Sequence, residues 1–138
     1  MKSIIRKISI VFSGGAFGGL VNSLAVWSFG ALGITAMLGV RLSPAFNQFW
    51  LYSRLTWGGI WGILFLLPYL KHNCVLRGIV FSLAPTLVQL FIVFPVQLKK
   101  GVMGLELGVL TPFFVILYNM VWGICSGLWI DAAKKEII

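Results

Sequence analysis

The sequence predicts an all-α integral membrane protein, four transmembrane helices folded as one membrane domain over residues 1–138. Three observations carry that expectation: 59% of the residues are hydrophobic, only 10% are charged, and mean hydropathy is +1.00. Too few polar groups are present to coat a water-facing surface, so the surrounding solvent is lipid. A bilayer core of roughly 30 Å takes about 20 apolar residues per helix, which gives room for four spans but not six.

The first apolar run continues without a charge from Ile8 to Val40. At 1.5 Å per residue it would reach about 50 Å as one helix, too long for a single upright span and too short for two with a turn. The cluster Gly30, Gly33 and Gly39 marks the break, giving a first span over 8–29 and a short, non-spanning apolar segment over 30–40. Ser43 and Pro44 form a capping hydroxyl followed by a first-turn proline, so the second span is placed at 44–67, ahead of Pro68. The third span covers 76–94 and ends near Pro95. A second short apolar segment follows over 101–110, and Thr111 with Pro112 repeats the start signal for a fourth span over 112–130.

The two halves, 8–70 and 76–130, resemble each other. Ile10–Ser13 and Ile79–Ser82 both read IVFS, Asn22 falls opposite Gln89, and Trp57-Gly58 is echoed by Trp122-Gly123. The matching needs gaps of one to three residues, and apolar segments align readily by chance, so duplication and coincidence both stay open. If the duplication holds, each unit is a span, a short apolar segment and a span, and the units are parallel repeats about an axis along the membrane normal.

The formal net charge of +8 does not point to nucleic acid, because the basic residues sit at segment ends and make no stripe between exposed aromatics. Seven of them, Lys2, Arg6, Lys7, Lys71, Arg77, Lys134 and Lys135, fall on one side of the predicted topology. Arg41, Lys99 and Lys100 fall on the other, offset by Glu106. The bias places both termini and the central loop in the cytoplasm, with the chain in an inner, cytoplasmic membrane. Lys2, Arg6 and Lys7 imitate the start of a cleavable signal, but the uninterrupted run behind them reads as a retained first helix.

Glycines spaced four apart recur within the predicted spans: Gly14 with Gly18, Gly15 with Gly19, Gly58 with Gly62, and Gly123 with Gly127. Each pair lies on one helix face and lets a neighbouring backbone approach closely, within the bundle or in a homodimer or larger membrane complex.

Arg54 is the most informative single residue. A charge at that depth costs at least roughly 2.5–3.5 kcal/mol on insertion scales, so it needs a partner, a water-filled cavity or a snorkelling route. Asn47, Leu51, Arg54, Gly58 and Trp61 share a helix face by their spacing, and that face is a candidate lining for a polar cleft. Glu106 lies in the second short segment, on the side from which the second helix departs, and is either a candidate partner for Arg54 or simply solvated at the interface. Asn22 and Gln89 are amides inside spans, placed to bond to each other or to line a path for an ion or small solute. Trp57 and Trp61 either pack the bundle or border a hydrophobic ligand.

Cys74 and Cys125 give neither a disulfide framework nor a metal-ligand spacing, and His72 has no carboxylate or cysteine cluster beside it. No nucleophile elbow, phosphate loop or metalloprotease motif is present, so no catalysis, metal or cofactor is expected. Length, paired glycines and a midspan asparagine are shared with the small fluoride channels of bacteria. The Gly-Phe-Thr-Thr-Phe-Ser stretch of that family has no counterpart, and its residues are not carried over.

The expectation for function is a permeation or solute-binding pathway lined by Arg54, Asn22, Gln89, Glu106 and Asn47, in contact with the lipid bilayer. The rival is a non-catalytic scaffold or assembly factor that docks its glycine faces onto a larger membrane complex. Lipid handling is a third expectation.

Overall fold

A computed structural model describes residues 2–137, with the side chains of Lys2, Lys135, Glu136 and Ile137 outside the described set. The topology reading of Lys2 and Lys135 therefore falls outside the described side chains. All elements among the described residues are helical: α1 (Lys2–Ala31), α2 (Ile34–Met37), α3 (Gln48–Trp61), α4 (Cys74–Val88) and α5 (Thr111–Ile137). α3 continues as a 3-10 turn over Gly62–Leu66, α4 continues as a π-helix over Gln89–Gln97, and a 3-10 turn spans Val102–Gly104. Three of these rods, Ser3–Ala31, Cys74–Gln97 and Thr111–Lys134, are long and apolar enough to cross a membrane. Their outward faces suit lipid, with Ile4, Leu83, Leu87 and Phe113 all more than half exposed.

α1 ends at Ala31, and Gly33 and Gly39 then take positive φ of 77° and 78°, a backbone state that a side chain disfavours. α3 does not begin at Pro44. Residues 40–47 are irregular, and the helix starts at Gln48 with Asn47 as its cap, the Asn47 Oδ1 accepting from the Trp50 N–H at 3.0 Å. A side-chain acceptor at Asn47 satisfies an orphan helix donor, which the exposed Ser43 does not do. Asn73 performs the same service for α4, accepting from the Leu76 N–H at 3.0 Å. The π-helical winding holds Pro95, whose ring would crowd the carbonyl four residues back in an α-helix.

α1 packs on α3 and on α5, and α5 packs on α4 as well, whereas α3 and α4 share no extensive contact. The helices therefore stand in the order α3, α1, α5, α4, with the two members adjacent in sequence at the two ends of the row. Glycines set the spacing. A Cβ at Gly58 would lie 2.7 Å from the Gly15 carbonyl oxygen, and one at Gly19 would lie 2.8 Å from that of Arg54, so α1 and α3 meet backbone to backbone. Gly78 and Gly123 face each other in the same way between α4 and α5, with Gly127 against the Cys74 carbonyl. Gly14 and Gly18 turn instead toward α5, against Ile130 and Ser126.

Buried side chains fill what remains in three clusters. Val11, Phe65, Phe81, Trp122 and Ile130 form one, Val26, Val40, Phe114 and Tyr118 a second, and Leu90, Phe94 and Val115 a third. The two irregular segments meet at the end of the bundle beside the second and third clusters. The Arg41 N–H donates to the Leu107 carbonyl at 2.8 Å, and Arg41 Nη2 donates to the Glu106 carbonyl at 2.5 Å.

Candidate functional site

The gap left between α3 and α4 is a cleft of about 370 Å³. α3 supplies Ser53, Arg54, Trp57, Gly58 and Trp61 as one wall. The α4 rod supplies Pro85, Val88, Gln89, Val93 and Gln97 as the other. Gly19 and Asn22 of α1 and Asn119 and Trp122 of α5 complete the lining. The cleft exists because α1 and α5 approach closely at the small surfaces of Gly14 and Gly18, which fastens the middle of the row and leaves its ends apart.

Arg54 is held on that lining by neutral groups. Its Nε donates to the Ser23 hydroxyl at 2.9 Å, its Nη2 donates to Asn22 Oδ1, and its guanidinium lies 5.0 Å from the centroid of the Trp50 ring. The Asn22 amide is itself fixed, because Nδ2 donates to the Tyr118 carbonyl at 2.6 Å. No carboxylate lines the cleft, and among the described residues no ion pair joins Arg54 to Glu106. That expectation is corrected: Glu106 is exposed, lies in the segment between the α4 rod and α5, and packs its side chain beside Gly101. A carboxylate at a solvated position gains more from water than from a buried cation, so the pairing has no driving force.

Asn47 is likewise outside the cleft. Its oxygen is taken by the α3 cap, as described above, and only Arg54, Gly58 and Trp61 of the proposed face reach the lining. Asn22 and Gln89 both line the cleft but do not bond to each other. Gln89 Oε1 accepts from Asn119 Nδ2 at 3.2 Å, and the same Asn119 Nδ2 donates to Thr86 Oγ1 at 3.1 Å. Asn119, Thr86, Ser23, Ser53 and Gln97 belong to the site or its support and were not singled out from sequence. Asn119 carried the signal that marked Asn22 and Gln89, an amide within a predicted span. Trp57 is exposed at 58% while Trp61 is partly buried, and Trp122 is buried with its Nε1 donating to the Gly15 carbonyl at 3.1 Å.

One device occurs twice. Ser23 Oγ donates to the Gly19 carbonyl at 2.6 Å and accepts from Arg54, while Thr86 Oγ1 donates to the Ser82 carbonyl at 2.7 Å and accepts from Asn119. In each half a helix hydroxyl, tied one turn back, receives the side chain of the helix that follows. The glycine contacts keep the same register, with Gly58 on Gly15 and Gly123 on Gly78. Ser23 thus corresponds to Thr86, and Arg54 to Asn119. The sequence alignment of Asn22 with Gln89 is out of step with this by several residues.

No protein family, curated protein or solved structure matches this chain. A guanidinium whose fixed partners are all neutral keeps its full charge, and in a low-dielectric setting an uncompensated cation attracts an anion strongly. Asn22, Gln89, Asn119 and Gln97 add amide donors and acceptors around it.

Proposed function

We propose that this chain is a small, non-catalytic multi-pass membrane protein whose α3–α4 cleft forms a binding or permeation pathway for a small anionic solute, with Arg54 as the charged contact. The observation that carries the reading is that Arg54 sits in a largely apolar cleft on neutral partners only. A volume of about 370 Å³ falls within the range of small-molecule sites, roughly 300–1,000 Å³.

In this proposal α3 with its 3-10 continuation is the fourth span. Fourteen α residues and five 3-10 residues reach about 31 Å, the thickness of a bilayer core. The charge bias supports an inner membrane with both termini and the 67–73 linker cytoplasmic. Reporter fusions at Gly33 and Gly101 should then read as non-cytoplasmic, and a cytoplasmic signal at either would defeat the topology. The doubled hydroxyl device supports two parallel units, each a span, a short segment and a span.

The scaffold reading has less support, because the glycine faces that motivated docking are covered within the chain by Gly58, Gly62, Gly78, Ile130 and Ser126. The test is uptake of radiolabelled small anions into proteoliposomes holding the purified chain. Wild-type protein should give uptake or saturable binding, and Arg54→Asn should weaken it by at least roughly tenfold while keeping its helical circular dichroism and monodisperse elution. Equal uptake by the variant would overturn the proposal.

A further inference from the structure

The opposite end of the bundle from the Arg41–Leu107 tie holds a second, smaller cavity of about 240 Å³ that is separate from the cleft. Lys71 from the linker, Arg77 from α4 and Lys134 from α5 converge on it, with Asp131 and Cys74 in the wall. Lys7 of α1 also stands within electrostatic reach of Lys134. Among the described side chains, three cations from the linker, α4 and α5 thus line the cavity together with one carboxylate, and Lys7 of α1 stands nearby.

Arg77 gives the cavity its depth. It is 8% exposed, and its guanidinium lies 5.5 Å from the ring centroids of both Phe65 and Phe81. Nη2 donates to the Phe65 carbonyl and, at 2.8 Å, to the Leu67 carbonyl, which close the end of the 3-10 turn. Its Nε is buried without a hydrogen-bond partner. A buried donor of a charged group left unpaired is costly, and nearby lysines raise that cost instead of relieving it. An oxyanion in the cavity would offset the crowded positive charge, held by the two mobile ammonium groups and by what the Arg77 guanidinium leaves open beyond its Nη2 bonds to the two carbonyls.

We propose that Lys71, Arg77 and Lys134 form a phosphate-binding site at this end of the bundle. The group it takes is a phosphate monoanion or dianion, carried by an anionic lipid headgroup or free in solution. Basic pockets between membrane helices on the positively charged side are placed at headgroup level, where anionic lipids concentrate.

Thermal unfolding in a neutral detergent tests the site, with phosphatidylglycerol or inorganic phosphate as the added probe. Lys71→Gln with Lys134→Gln is the decisive double variant, since both lysines are exposed and glutamine keeps most of their length without the charge. A rise in Tm of at least about 5 °C with phosphatidylglycerol, absent in the double variant, supports the site with a lipid as its ligand. The same rise with inorganic phosphate, absent in the variant, supports the site with a free anion. No rise with either probe, or a rise that persists undiminished in the variant, overturns the proposal. Arg54→Asn should leave the shift unchanged, so the outcome is independent of the cleft.

Discussion

In the first half of the chain the hydroxyl of Ser23 receives an arginine, and in the second the hydroxyl of Thr86 receives an asparagine. The surrounding geometry is the same: a hydroxyl tied to the carbonyl one turn back, with two helices brought together on glycine below it. The second half therefore shows that this packing does not need a charge. An arginine on the same device costs at least about 2.5–3.5 kcal/mol of insertion free energy and brings a full charge that the amide does not. The proposed anion site would account for a charge at this place, where an amide serves the packing of the second half.

Breaking the glycine contacts should have the largest effect. Gly123→Leu forces a side chain into the Gly78 backbone, and Gly58→Leu does the same against Gly15. Each should lower stability by about 3 kcal/mol, the upper end of the usual cost of overpacking, in denaturant titration of the detergent-solubilised protein. Comparable losses in the two variants would sharpen the correspondence between halves, and a tolerated leucine in one would break it.

Converting one half to the chemistry of the other comes next. Arg54→Asn should weaken anion binding by roughly ten- to a hundredfold, the loss of a charge-assisted hydrogen bond of about 1.5–3 kcal/mol, measured by equilibrium dialysis. Its unfolding midpoint should match or exceed wild type. A midpoint that collapses would mean that the charge serves packing after all.

Asn119→Ala removes the bonds to Thr86 and Gln89 and should cost about 0.6 kcal/mol, with 1.7 kcal/mol as the upper end for interhelical hydrogen bonds in membranes. Unfolding in mixed micelles would measure it, and anion binding should change less than for Arg54→Asn. Substituting the cap in Asn47→Ala should lower stability by about 1 kcal/mol and leave solute binding intact, since the residue lies outside the cleft. Reduced affinity in that variant would return Asn47 to the pathway.

The helical, lipid-facing character was legible because it depends on long charge-free runs, and Arg54 was legible because a charge inside such a run has no cheap environment. Gln89 and Asn22 were legible for the same reason, as amides at depth. Asn47 and Glu106 misled because spacing on a helix face says nothing about whether a side chain is taken by a cap or left in water. Arg77 was counted with the topology signals, and only the folded chain shows it buried between Phe65 and Phe81. The register between halves was hidden because apolar letters match at many offsets, whereas the hydrogen bonds of Ser23 and Thr86 match at one.

Both donors that Arg54 offers to its neighbours end on residues of the same half, Ser23 and Asn22. The order of synthesis gives that arrangement a consequence. The Arg41–Glu106 contact joins positions 65 residues apart, so the ribosome needs roughly 3–13 s to deliver the second partner after the first. Through that interval the leading hairpin can rest in the bilayer with its arginine already solvated by its own chain, and the trailing hairpin arrives with its amide satisfied in the same way. With α3 as the proposed fourth span, each half could leave the translocon alone, and the tie between them would close late in the life of the nascent protein.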